Sequence, residues 1–360
     1  MKDILVINPG STGTKVAVYG DSRILYEKTL EHDLSELHAH PSPRDQADFR
    51  KTSLLNWLTE MTYPRERFRA IAARGGVIGE LETGAYLVDM ALMEASLHSS
   101  TPHASNLAAV IAYDLSVLWG IPAYIYDAVC GMGKPDPMYT LSGLQEIPRP
   151  FVTHVLNSRA VAYHHAAIQG KNPMEQNVIV VHMGGGITTN LIHQGKILDF
   201  VGDDEGTFSP ERSGRVPCRG LVRLAYTGRY QQKELQTLLK GRGGLVDYLG
   251  TNDFRLVEQM AYEQQNTLAL QVIQAMALQI AKDIGAMSTV VSGQIHAILL
   301  TGGLAYSQRL CSLVQERVSF LAEVHRYPGS LETEALAMGV LRVLRGDELA
   351  HQYHSSQSNR

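Results

Sequence analysis

The chain has 360 residues, a length at which one hydrophobic core gives way to two domains. Hydrophobic residues make up 44% and charged ones 19%, which fits a well-buried globular protein and excludes a disordered or fibrous chain. A formal net charge of −4 gives no electrostatic ground for binding nucleic acid.

The first apolar run, Ile4 to Ile7, ends in Asn-Pro-Gly and is too short for a signal peptide. No later stretch has the apolar length needed to span a bilayer. Cys130, Cys218 and Cys311 are widely separated and form no CxxC pair, the pattern of buried thiols in a reducing compartment. A cytoplasmic protein is expected.

Two segments share one local grammar. Ile4 to Ile7, a turn from Asn8 to Thr14, and Lys15 to Tyr19 form the first. Val178 to Val181, a turn from His182 to Thr189, and Asn190 to Ile192 form the second. Each reads as a buried strand, a turn rich in Gly, Ser and Thr, and a second strand. Each then continues past another turn, Gly20-Asp21-Ser22 or Gly195-Lys196, toward a third strand. Asn8 and His182 lie about half a chain apart, which predicts two related domains.

Between the hairpins, Ala70 to Ala73 reads as a strand ending in Arg74-Gly75-Gly76. A helix is predicted from Asn106 to Trp119, then a strand from Ala123 to Tyr126 ending at Asp127. The Ile-Pro-Arg-Pro stretch before Phe151 is the expected boundary, giving domains 1–150 with 333–360, and 151–332. Leu268, Val272, Met276, Ile280, Ile284 and Met287 form one apolar face of a long helix. Ala297 to Leu300 is a further strand, followed by the turn Thr301-Gly302-Gly303. The last ten residues, 351–360, are polar and read as a frayed tail. Alternating strands and helices give an α/β fold.

Small residues at a strand turn let backbone N–H groups approach phosphate oxygens. Gly10 to Thr14 adds hydroxyls from Ser11, Thr12 and Thr14, and Lys15 adds charge. A single loop of this kind is equally a tight hairpin. Two matching loops with Thr301-Gly302-Gly303 point to a phosphate or nucleotide cleft. There is no Walker A sequence, dinucleotide fingerprint, GxSxG, HExxH or EF-hand pattern. Arg74, at a strand end, and Arg212, in Phe208 to Gly214, can each clamp a carboxylate or phosphoryl group, or be solvated surface arginines. His103 and His154 each precede a helix, and His182 interrupts an apolar strand. Taken singly, each is more often a hydrogen-bonded structural histidine than a catalytic one. Asp127 ends a strand, a frequent place for functional carboxylates in α/β sheets. Glu332 and Glu334 open the last helix, where they also suit its N-terminal dipole.

INPGSTGTK, ARGG, HASN, VVHMGGGI, FSPERSG and LLTGGLAYS together resemble the acetate and butyrate kinase family, within the sugar kinase, Hsp70 and actin superfamily. INPGSTGTK, HMGGGI and SPERSG look like its butyrate branch. The likeness runs from about Ile4 to Gly346. It implies two RNase H-like domains with an interdomain nucleotide cleft, the actin-like ATPase fold. It implies ATP-dependent, Mg2+-dependent phosphorylation of a short-chain carboxylate such as butanoate, with acetate, propionate or a branched acid as alternatives and a non-catalytic ATP-binding switch as a rival. A homodimer is the family expectation.

By the same resemblance Asn8, Ser11, Thr12, Thr14 and Lys15 lie near the reacting phosphates. His182, Gly184, Gly185 and Gly186 contact phosphate from the second domain, and Gly302 and Gly303 lie against the adenosine. Arg74 and Arg212 flank the carboxylate and the phosphoryl group in flight, with His154 and His103 at the same centre. Asp127 is the matching acidic residue, and Glu334, with Asn8, is the magnesium site. Thr153 stands where the family commonly carries Phe beside the acyl group, and Thr188-Thr189-Asn190 where smaller residues are usual.

Overall fold

A computed structural model describes residues 3–20, 23–40, 42–101 and 103–354. The chain divides into two compact units, Met1–Phe151 with Leu331–Arg360, and Val152–Ser330.

In the first unit, uninterrupted apolar residues from Ile4 to Ile7 make strand β1 (Asp3–Pro9) a fully buried centre strand. It pairs antiparallel with β2 (Gly13–Gly20), and β2 with β3 (Arg23–Glu31). On its other side β1 runs parallel to β4 (Phe68–Arg74), and β4 to β6 (Ala123–Tyr126). A short β5 (Ala85–Leu87) closes the edge, giving the order β3-β2-β1-β4-β6-β5.

The second unit repeats the plan. Strands β7 (Asn177–Met183), β8 (Ile187–His193) and β9 (Lys196–Val201) form the antiparallel meander. Strands β10 (Ala297–Gly302) and β11 (Val324–Pro328) add in parallel, giving β11-β10-β7-β8-β9. β1 and β7 are both seven residues long, and Asn8 and His182 are each the penultimate residue. The two hairpins predicted from sequence are thus equivalent positions of two similar sheets.

The helix Asn106–Trp119 is found as predicted, stopped by Gly120 in the left-handed conformation. The long helix runs Thr267–Val290 and buries Val272, Met276, Ile280, Ile284 and Met287 beneath the second sheet. Leu268 departs from the predicted face and is 44% exposed. It sits in the first turn, and Ala269 takes the inward position. The last helix, Glu332–Arg345, packs on the first sheet, where Gly339 lets it approach the Tyr126 ring.

The expected tail is anchored at its start. His351 N donates to Ala85 O at 2.8 Å, and Leu87 N donates to His351 O at 3.0 Å. These two bonds extend the free edge of β5. Residues 355–360 of that expected tail, and Asp21-Ser22 of the predicted turn, lie outside the described residues.

Candidate active site

The first unit gathers polar groups at the C-terminal ends of its central strands. Buried Asn8 donates from Nδ2 to Glu332 Oε2 at 2.8 Å. Arg74 Nη1 donates to the same oxygen at 3.1 Å and to Asn8 Oδ1 at 3.4 Å. Among the described residues, the buried Arg74 Nε has no hydrogen-bond partner. A buried N–H left unpaired is costly, and Arg74 carries one beside the polar cluster that its Nη1 reaches.

Glu332, not Glu334, is therefore the carboxylate set against Asn8 and Arg74. Successive helical residues turn by about 100°, so two residues apart they point to nearly opposite sides. Glu334 is exposed. Burial first, and its charge second, hold the Tyr19 phenol above its ordinary value.

The Gly10–Thr14 turn is held from behind. Arg50, 1% exposed, donates to Gly13 O at 2.9 Å, to Ser11 O at 3.2 Å and to Thr14 Oγ1 at 2.8 Å. Thr14 is fully buried and also meets His32 Nε2 at 2.9 Å. This places Thr14 in the support of the loop, while Ser11 and Thr12 are exposed. Lys15 points to Glu27, 3.9 Å away. Sequence gave no sign of Arg50, which resembles any charged residue of an amphipathic helix (Pro43–Glu60).

Asp127 follows Tyr126, the register partner of Arg74. It is buried, with φ of 43°, and its Oδ1 accepts from Gly84 N at 3.0 Å. Exposed His103 accepts from Ser105 N at 3.2 Å. In the HASN motif it is Asn106 that ties the loop after Arg74, accepting from Val77 N at 2.7 Å and donating to Thr101 O at 3.0 Å. A Cβ on Gly76 would overlap Asn106, so that glycine serves this close approach.

In the second unit, His154 and His182 stack with ring centroids 4.3 Å apart and planes 16° from parallel. His182 Nε2 lies beside the Gly184–Gly186 turn, where a Cβ on Gly184 would come to 3.3 Å. That turn closes through Gly184 N donating to Gly186 O at 2.9 Å. Arg212 lies against Gly186 and donates to Asp203. Thr153 is buried, and its hydroxyl donates to Asn190 Oδ1 at 2.6 Å.

A cavity of about 970 Å³ joins Gly184 and Gly185 to Gly303, a size suited to a nucleotide. Asn252, Asp253, Phe254, Arg255 and Tyr306 also line it. Asn252 Nδ2 donates to Glu211 Oε1 at 2.6 Å. Tyr306 and Glu211 fall within the LLTGGLAYS and FSPERSG motifs, whereas no local pattern separates Asn252 to Arg255 from other loop residues. Gly303 lines the cavity and Gly302 does not. Gly302, at φ of 92°, instead packs against the Met183 backbone. Among the described residues, no group of three or more His, Cys, Asp or Glu could hold a metal ion.

Comparison with known proteins identifies the family and the fold. The acetokinase family profile matches residues 148–323. A butyrate kinase from Clostridium acetobutylicum is 41% identical over 356 residues, covering 98% of this chain and all of the relative. The crystal structure of an acetate kinase from Porphyromonas gingivalis superposes with a TM-score of 0.78 at 18% identity, over 96% of this chain and 100% of the other. A propionate kinase structure from Francisella tularensis gives 0.75 at 18% identity, over 94% and 99%. These structures share the α/β, actin-like ATPase fold expected from the sequence. Identity at this level along the whole chain settles the family: the chain belongs to the acetokinases.

Proposed function

We propose that this chain moves the γ-phosphoryl group of ATP to the carboxylate of a short-chain acid, with butanoate as the preferred acceptor. The full-length likeness to a butyrate kinase supports the acceptor class. The observation that carries the chemistry is Arg74, half-buried at a strand end, whose Nη1 reaches Asn8 and Glu332 and whose buried Nε has no hydrogen-bond partner among the described residues.

Phosphoryl transfer needs in-line positioning and neutralisation of spreading charge rather than covalent help. The cavity beside Gly184, Gly185 and Gly303 takes the nucleoside. The Gly184–Gly186 turn offers backbone N–H groups to its phosphates, and His182 and His154 offer ring donors. In the first unit, the exposed Ser11 and Thr12 and the neighbouring Lys15 are the candidate phosphate contacts. Arg74 binds the acceptor carboxylate. Arg212 exchanges Asp203 for the phosphoryl group in flight, where its planar fork spans two oxygens. A carboxylate is ionised near neutral pH, so no general base is required. Asp127 can therefore keep its bond to Gly84 throughout.

Magnesium usually takes few protein ligands and keeps its waters. The oxygens of Glu332 and Asn8 suit that role. The ion would supply charge neutralisation on the phosphates. No helix among the described residues is long and apolar enough to cross a membrane. We place the enzyme in the cytoplasm as a homodimer, the commonest symmetric assembly.

The test is ATP-dependent acyl phosphate formation, trapped with hydroxylamine, across acetate, propionate, butyrate, isobutyrate and valerate. The highest kcat/KM is expected with butyrate. A maximum at another acid reassigns the substrate, and no product from any acid overturns the reading.

A further inference from the structure

Of the two stacked histidines, His182 is backed directly by a buried amide and His154 through a threonine hydroxyl. Asn157, fully buried, lies 2.9 Å through Nδ2 from His182 Nδ1 and 3.4 Å from Thr301 Oγ1. Thr301 Oγ1 in turn donates to Gly329 O at 3.1 Å. The two ends of an amide are told apart by what they touch. A carbonyl only accepts, so the one hydroxyl proton of Thr301 goes to Gly329. Thr301 must then accept from the NH2 end of Asn157. The same NH2 faces His182, whose Nδ1 is thereby an acceptor without a proton.

The second arm follows the same logic. Asn190, fully buried, accepts from Thr153 Oγ1 at 2.6 Å and donates from Nδ2 to Ser158 Oγ at 2.9 Å and Thr188 Oγ1 at 3.3 Å. Thr188 receives a hydrogen bond from the amide and keeps its own proton to give. Its remaining partner is His154 Nδ1, at 3.0 Å. The rings lie face to face at 4.3 Å, so two positive charges there would repel strongly in a partly buried setting.

We propose that Asn157 and Asn190 are positioning residues that hold His182 and His154 neutral, each with its proton on Nε2. Resting on the proposed function above, this gives the site two fixed N–H donors aimed away from the buried amides. One of them sits beside the Gly184–Gly186 turn. Anions are then met by oriented neutral donors that need no proton uptake. Nothing reorganises at the moment of transfer. The device also joins Thr153 to Asn190, the two places where the sequence departs from its family pattern on either side of this pair.

The test is long-range 1H–15N correlation on the full chain with 15N-labelled histidine, at mildly alkaline pH. His154 and His182 are assigned by loss of their signals in His154→Gln and His182→Gln. Protonated Nε2 is expected for both. In Asn157→Asp the carboxylate can only accept, so the His182 proton moves to Nδ1. In Asn190→Asp the His154 proton moves likewise. Each change should lower kcat about a hundred-fold, the loss of one aimed donor. Should a buried aspartate prevent folding, Thr301→Val decides. It frees the Asn157 amide to turn, and His182 becomes a mixture of tautomers.

Protonated Nδ1 on either ring in the unaltered protein overturns the proposal. So does a fall in kcat with both tautomers unchanged. Switched tautomers with unaltered kcat uphold the proposal and instead refute the catalytic reading of the histidines.

Discussion

Glu332 lies 324 residues beyond Asn8 in the chain and accepts a 2.8 Å hydrogen bond from its amide. That bond, with the one from Arg74, joins the first strand, the fourth strand and the last helix at one carboxylate.

Glu332→Gln should lower kcat about a hundred-fold or more, the scale for losing one preorganised electrostatic group. It should also raise the magnesium concentration needed for half-maximal activity. Glu334→Gln should stay within about threefold of the parent enzyme, as surface changes usually do. Magnesium titration of the hydroxamate assay checks both, and equal losses would remove Glu332 from its role.

Two glycines separate folding from function. A Cβ on Gly186 meets the flexible end of Arg212, whereas one on Gly302 meets the backbone of Met183. Gly186→Ala should fold with an unchanged melting temperature and lose most activity, because Arg212 must move. Gly302→Ala adds left-handed strain of about 1–3 kcal/mol to that backbone overlap and should melt several degrees lower. Thermal melts alongside kcat/KM distinguish the two.

Arg212→Ala should cut kcat/KM by about 100- to 1,000-fold with the circular dichroism unchanged. Arg212→Lys should recover little of it, since an ammonium cannot span two oxygens. Full rescue by lysine would reduce Arg212 to a point charge.

Acid should loosen the first unit through His32. Burial first, and the Arg50 charge second, lower its pKa from 6.5 to about 4. Between those values the unfolded chain binds the proton and the folded one does not, so stability falls as pH drops. At ~1.4 kcal/mol per pKa unit the loss approaches about 3 kcal/mol. Urea midpoints across this range should decline less steeply in His32→Gln.

The hairpins, the long helix and the glycine turns were legible because short-range pattern dictates them. Four buried residues before a small-residue turn leave few alternatives, and the repeat of that pattern foretold the repeated sheet. The choice between Glu332 and Glu334 was not legible. Both open the same helix, and only its docking through Leu336, Ala337 and Val340 fixes which one faces Asn8. Arg50 and the pairing of Thr153 with Asn190 were hidden for a related reason. Their partners lie 36 to 39 residues away, beyond any local periodicity. The cavity residues from Asn252 to Arg255 follow no repeat at all.

The position of Glu332 also sets an order of assembly. A chain emerging from the ribosome presents Asn8 and Arg74 early and the helix that begins at Glu332 near the end. The second unit, 152–330, is complete before that helix arrives, and domains generally fold as they are made. Nascent chains can thus hold the cavity beside Gly184, Gly185 and Gly303 while still lacking the carboxylate that faces Arg74. With Glu332 in its proposed role, ATP turnover should be withheld until synthesis is nearly finished, and chains cut short before Glu332 should be inert.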